Sequence, residues 1–102
     1  MMSDKQLLNI VTGFREGLLS GESSTFRCGM VSYALQGFLS LYEVETKLVS
    51  LNFAEINHMF LQLPDGRIID ATADQFGLPP VYIGPMPLLY TTRKARLVYE
   101  VE

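Results

Sequence analysis

One cysteine and one histidine in 102 residues exclude a good deal. The single cysteine, Cys28, rules out an internal disulfide. With only His58 beside it, the chain has too few ligands for a structural zinc site. No metal is expected, and no cofactor, because nothing resembles a nucleotide-binding loop. Basic residues are scarce as well. Eight Lys and Arg stand against eleven Asp and Glu, the net charge is −3, and no basic run exists to attract nucleic acid. No apolar run approaches the ~20 residues of a membrane span, and the N-terminus lacks the basic and apolar regions of a secretory signal. The expectation is a protein with no membrane association in a reducing cytoplasm. Repeats, low-complexity stretches and interdomain linkers are missing, so residues 1–102 read as a single domain.

What is present suits a small globular fold. Hydrophobic residues make up 48% and charged residues 19%, enough for one core in a chain that is short for an enzyme. Ser3 followed by Gln6 reads as a capping box, and Leu7, Ile10, Val11, Phe14 and Leu18 recur at helical spacing up to a stop near Gly21. Residues 21–27 are a polar loop. A second helix is predicted from about Cys28 to Tyr42, with Val31, Ala34, Leu35, Phe38 and Tyr42 buried and Gly37 marking a close approach. A strand is predicted over residues 44–51 and a connection over 52–55. Beyond a central hairpin, residues 73–77 read as a turn, 81–83 as a short strand, and 95–102 as an edge strand. Residues 87–92 carry no readable pattern.

The hairpin organises the chain. Apolar runs flank Pro64-Asp65-Gly66, with proline suited to a type I turn and glycine to the left-handed residue closing a three-residue loop. That register sets Leu63 opposite Arg67, Leu61 opposite Ile69 and His58 opposite Thr72. Asp70 is then the diagonal neighbour of His58 on the same face. A two-residue Asp-Gly loop would slip the pairing by one and send Asp70 to the other face. Both faces carry apolar residues, so cover is expected on both.

Cys28 at a helix start, His58 on a strand and Asp70 on the next strand suggest nucleophilic catalysis. A helix N-terminus and an imidazolium both favour the thiolate, His58 moves protons, and a carboxylate fixes the ring's tautomer. The Cys28 N–H would serve an oxyanion hole. Taken singly, each residue has an ordinary reading: a buried thiol, a structural histidine, a turn-forming aspartate. Asp74 is a rival to Asp70.

The segments Phe26-Arg27-Cys28-Gly29-Met30-Val31-Ser32-Tyr33-Ala34-Leu35 and Asn57-His58-Met59-Phe60-Leu61, with Asp65-Gly66-Arg67-Ile68-Ile69-Asp70-Ala71-Thr72, resemble the core of the transglutaminase-like branch of papain-fold cysteine enzymes. The resemblance covers about residues 24–76. It implies an α+β, papain-like minimal core, with N-terminal helices packed on a small antiparallel sheet. Cys28 would be the nucleophile, His58 the general base and acid, and Asp70 the orienting residue. The implied activity is thiol-dependent acyl transfer at amide bonds of a peptide or protein, as peptidase, deamidase or transglutaminase. The chain departs from the family in having Gly29-Met30 after the cysteine and Met59-Phe60 after the histidine, where tryptophan is common. It also has no glutamine shortly before Cys28, which leaves Gln75 as a candidate second oxyanion donor. Two other functions fit the same fold. One is a non-catalytic interaction module, with a protein partner or a second copy on the apolar stretch 80–90. The other is a host-targeted effector or toxin.

Overall fold

A computed structural model describes residues 3–21, 28–53, 56–91 and 95–101. Helix α1 (Asp4–Leu19) opens on the capping box read from the sequence. The Gln6 N–H donates to Ser3 Oγ at 3.2 Å, and the Ser3 N–H donates to Gln6 Oε1 at 2.9 Å. The helix passes through Gly17 and stops where Ser20 turns left-handed, just before Gly21. Helix α2 (Cys28–Ser40) follows, with Cys28 as its first residue. The polar loop of residues 22–27 lies outside the described residues.

Five antiparallel strands form one sheet: β1 (Lys47–Phe53), β2 (Ile56–Gln62), β3 (Ile68–Asp70), β4 (Tyr82–Gly84) and β5 (Ala95–Val101). Their order is β4-β3-β2-β1-β5, so the hairpin is central and β5 is the expected edge strand. The class is α+β. Leu7, Val11 and Leu19 of α1, with Val31, Leu35 and Leu39 of α2, pack on Leu48, Leu61, Leu63, Ile69 and Ala71. Each leucine, valine or isoleucine among them contributes about 1.5–3 kcal/mol when fully buried. The opposite face is covered too, as the hairpin's two apolar faces require. There Val49, Leu51, Phe60 and Ile68 pack with Tyr90, under Phe76, Leu78, Tyr82 and Met86.

Several sequence expectations need correction. The buried stripe of α2 runs through Leu39, while Tyr42 is exposed. Phe38 and Tyr42 instead form an aromatic cluster with Phe14, with ring centroids 4.5 Å apart for Phe14–Phe38 and 5.4 Å for Phe38–Tyr42. Gly37 marks no close approach, since a Cβ there would meet open space. The first strand starts at Lys47 rather than residue 44, because Val44 finishes the helix: its N–H bonds back to the Leu39 carbonyl at 3.1 Å, after Glu43 turns left-handed. At its other end β1 continues through Asn52 and Phe53, which pair with Asn57 and Ile56. Within the stretch 80–90, Val81 and Tyr90 are buried in the two cores, while Pro80, Pro85 and Leu88 are exposed.

The hairpin register agrees with the three-residue loop. Leu61 pairs with Ile69, and the Leu63 N–H donates to the Arg67 carbonyl at 2.8 Å. The Gly66 N–H closes the turn on the Leu63 carbonyl, with φ at +95°. Asp65 braces the loop by accepting from the Arg67 N–H at 2.9 Å and from Arg67 Nε at 2.8 Å. A side chain at Gly66 would meet open space, so its cost is conformational. Gly66→Val is expected to lower stability by about 1–2 kcal/mol, the left-handed penalty of an L residue, read as a lower thermal midpoint. An unchanged midpoint would contradict the positive φ.

Candidate active site

Two contacts dock the start of α2 on β2, one on either side of His58. Ser32, one turn beyond Cys28, donates its hydroxyl to the Met59 carbonyl at 2.9 Å. Cys28 Sγ lies 3.8 Å from the Asn57 carbonyl, within reach of a thiol donor. The thiol is thereby held over the strand residue that carries the imidazole. A Cβ at Gly29 would lie 3.0 Å from Met59 Sδ and would press the Met59 side chain aside by a few tenths of an ångström.

His58 Nε2 is 2.6 Å from Asp70 Oδ2, with both side chains almost fully buried. The chain turns at the end of β3, and Asp70 Oδ1 accepts from the Thr72 N–H at 3.0 Å and from the Thr72 hydroxyl at 3.4 Å. This Asx-type turn gives the Asp-Ala-Thr sequence a physical role, locking the carboxylate while Oδ2 faces the ring. Tyr90 donates its hydroxyl to the same Oδ2. With Nε2 committed to Asp70, the nitrogen left to face the Cys28 thiol is Nδ1, and the two side chains lie close enough for each to shift the other's ionisation.

The electrostatics of the pair follow from these contacts. Burial of Cys28 disfavours the thiolate, but the His58 hydrogen bond, the Met59 backbone N–H and the imidazolium charge outweigh it and hold the thiol below its ordinary value. Burial likewise disfavours the imidazolium, and the hydrogen bonds to Asp70 and Cys28 overcome it, raising His58 to about 9. The two shifts favour a thiolate–imidazolium pair near neutral pH.

The linkage has a definite sign. A raised histidine stabilises the fold fully below its unfolded value of 6.5, and this contribution disappears as pH rises to about 9. A lowered cysteine acts oppositely: its contribution is present above 9.0 and is lost as pH falls through its folded value. Cys28→Ser separates the two. In that background, urea midpoints should fall from pH 6.5 to 9 more steeply with His58 present than with His58→Gln. Parallel pH profiles would contradict the His58–Asp70 pairing.

The ring sits among aromatics. Phe76 meets it edge-on at 4.6 Å between centroids, Tyr90 at 5.4 Å, and Phe60 lies tilted at 6.0 Å. These walls keep the local dielectric low and strengthen the His–Asp attraction.

Cys28, His58 and Asp70 are therefore brought together, as the hairpin register requires. Asp74 is not the carboxylate on the ring; it pairs with Arg15 at 2.9 Å. Arg15 also donates from Nε to the Ala71 carbonyl at 2.6 Å, so α1 braces the turn that follows Asp70. Gln75 Nε2 is buried without a hydrogen-bond partner among the described residues. Clefts on the described surface include ones around residues 42–46, the hairpin loop and the α1–α2 surface. Sequence reasoning missed Ser32, Arg15 and Tyr90, whose roles arise from long-range docking. Among the described residues no helix is long and apolar enough to cross a membrane. Comparison with protein-family models, curated protein sequences and solved structures gives no significant match.

Proposed function

We propose that this chain is a thiol-dependent acyl-transfer enzyme with a papain-like, transglutaminase-like core, acting on amide bonds of a peptide or protein. The observation that carries the reading is the buried imidazole with Asp70 at 2.6 Å from Nε2, on a strand residue against which the thiol of a helix-start cysteine is docked through the neighbouring Asn57 carbonyl. In the proposed reaction the Cys28 thiolate attacks the amide carbon and a C–S bond forms. The C–N bond then breaks as His58 gives its Nδ1 proton to the leaving amine or ammonia. Water or a second amine next attacks the thioester, gives its proton to His58, and restores the thiolate. Asp70 keeps the ring oriented and stabilises its charged form throughout. The Cys28 N–H, one of the four that an α-helix start leaves without an intrahelical partner, would donate to the oxyanion.

A second reading has an observation of its own. Cys28 is only 8% exposed, as suits an interaction module that retains the fold without turnover. An unfolded, glutamine-containing protein such as casein separates the two. New N-termini would indicate a peptidase, released ammonia a deamidase, and incorporation of a fluorescent primary amine a transglutaminase. One of these should appear with wild type and vanish with Cys28→Ser. Failure of all three, together with an unreactive thiol, would favour the module.

A further inference from the structure

We propose that Tyr90 is a positioning residue of the Cys28–His58–Asp70 site, its hydroxyl holding Asp70 Oδ2 and sharing that oxygen with the His58 ring. The inference rests on the acyl-transfer reading and adds to it a fourth side chain, from a segment with no sequence signal. Tyr90 lies in a 3₁₀ turn (Leu88–Thr91) beyond the edge strand β4, and the chain crosses the second sheet face to bring it there. It is 2% exposed, although Leu88 in the same turn is 85% exposed. The turn therefore sends one residue inward to the triad.

Three contacts define the role. The hydroxyl donates to Asp70 Oδ2 and lies 3.4 Å from His58 Nε2. The ring packs against His58, against Phe60 at 5.3 Å and against Phe76 at 5.9 Å, filling the space beside the imidazole. The Tyr90 N–H bonds to the Pro87 carbonyl at 2.9 Å, which fixes the turn. A greasy plug would need only the ring. The hydroxyl is directed at the one oxygen that orients the imidazole, and burial beside that carboxylate keeps the phenol protonated and donating.

The consequence is electrostatic. A hydrogen bond to a carboxylate spreads its charge and weakens its pull on other donors. Tyr90 thus moderates the hold of Asp70 on the His58 proton, so that the imidazolium remains able to surrender it. Among the described residues, the ionisable groups facing His58 include Asp70 of β3, Cys28 of α2 and Tyr90 itself. Those acting on Tyr90 are Asp70, Tyr82 of β4 and Cys28.

The single histidine makes the test direct, because only one imidazole resonance set titrates in an NMR spectrum of the intact chain. Tyr90→Phe keeps the ring and removes the donor, and the His58 midpoint should rise by roughly half a unit or more. 3-Fluorotyrosine incorporated at Tyr90, a stronger donor of nearly the same size, should lower it, and this probe serves if Tyr90→Phe folds poorly. A midpoint that stays still or moves the opposite way with either change overturns the inference, because a purely structural role would shift stability and leave the titration alone. Failure of the underlying reading is distinguishable. It would appear in wild type as an ordinary Cys28 titration, whatever the Tyr90 changes do to His58.

Discussion

Asp70→Ala is expected to remove about 3–5 kcal/mol of stability, the scale for breaking a buried charge pair by deleting one partner. The carboxylate is 0% exposed and accepts from four donors: the His58 ring, the Thr72 N–H and hydroxyl, and Tyr90. Alanine would leave the imidazolium without its counter-charge and leave buried donors without acceptors. Small domains hold only about 5–15 kcal/mol in all, so a substantial unfolded population at physiological temperature is expected. Asp70→Asn keeps the shape and should cost less stability, while presenting the ring with the wrong charge. Urea denaturation is the measurement, and a loss under about 1 kcal/mol for Asp70→Ala would show that the carboxylate is not the hub described.

Cys28→Ser should have the reverse profile, with stability nearly unchanged and acyl transfer reduced by about four orders of magnitude or more. Serine keeps the shape of cysteine with a smaller terminal atom that is still able to hydrogen-bond, so only limited repacking is needed around this buried position. The chemistry differs greatly, since a serine hydroxyl stays protonated beside an imidazolium and is a poor nucleophile there. The check is Cys28-dependent turnover of a protein amide, compared with the denaturation midpoint of the same variant. Retained turnover would move the nucleophile elsewhere.

The parts of this site that were legible in sequence share a physical property: short-range rules place them. Ser3 and Gln6 announce the first helix by local hydrogen bonding. Pro64 and Gly66 dictate a three-residue loop, and the strand period of two then carries Asp70 to the face of His58. The less legible parts depend on tertiary contacts. Val44 looks like a strand residue, yet its N–H is taken by the Leu39 carbonyl at the end of α2. Tyr42 continues the apolar stripe of α2 on a helical wheel, but the helix stops at Ser40 and the ring turns to Phe38. Arg15 looks like a solvent-facing charge on a scaffold helix and instead grips the turn after Asp70. Tyr90 follows Pro85 and Pro87 in a stretch without periodicity, so only its docking across the sheet brings it to Asp70 and His58.

The central claim is that Cys28 and His58 form an ionised pair oriented by Asp70, and the pH dependence of Cys28 alkylation tests it most directly. With one cysteine in the chain, iodoacetamide incorporation followed by mass reports that thiol alone. The predicted curve for the native protein rises with a midpoint well below the ~8.5 of a free thiol, and His58→Ala moves the midpoint up. A native curve that superimposes on that of free cysteine, or one indifferent to His58→Ala, would contradict it.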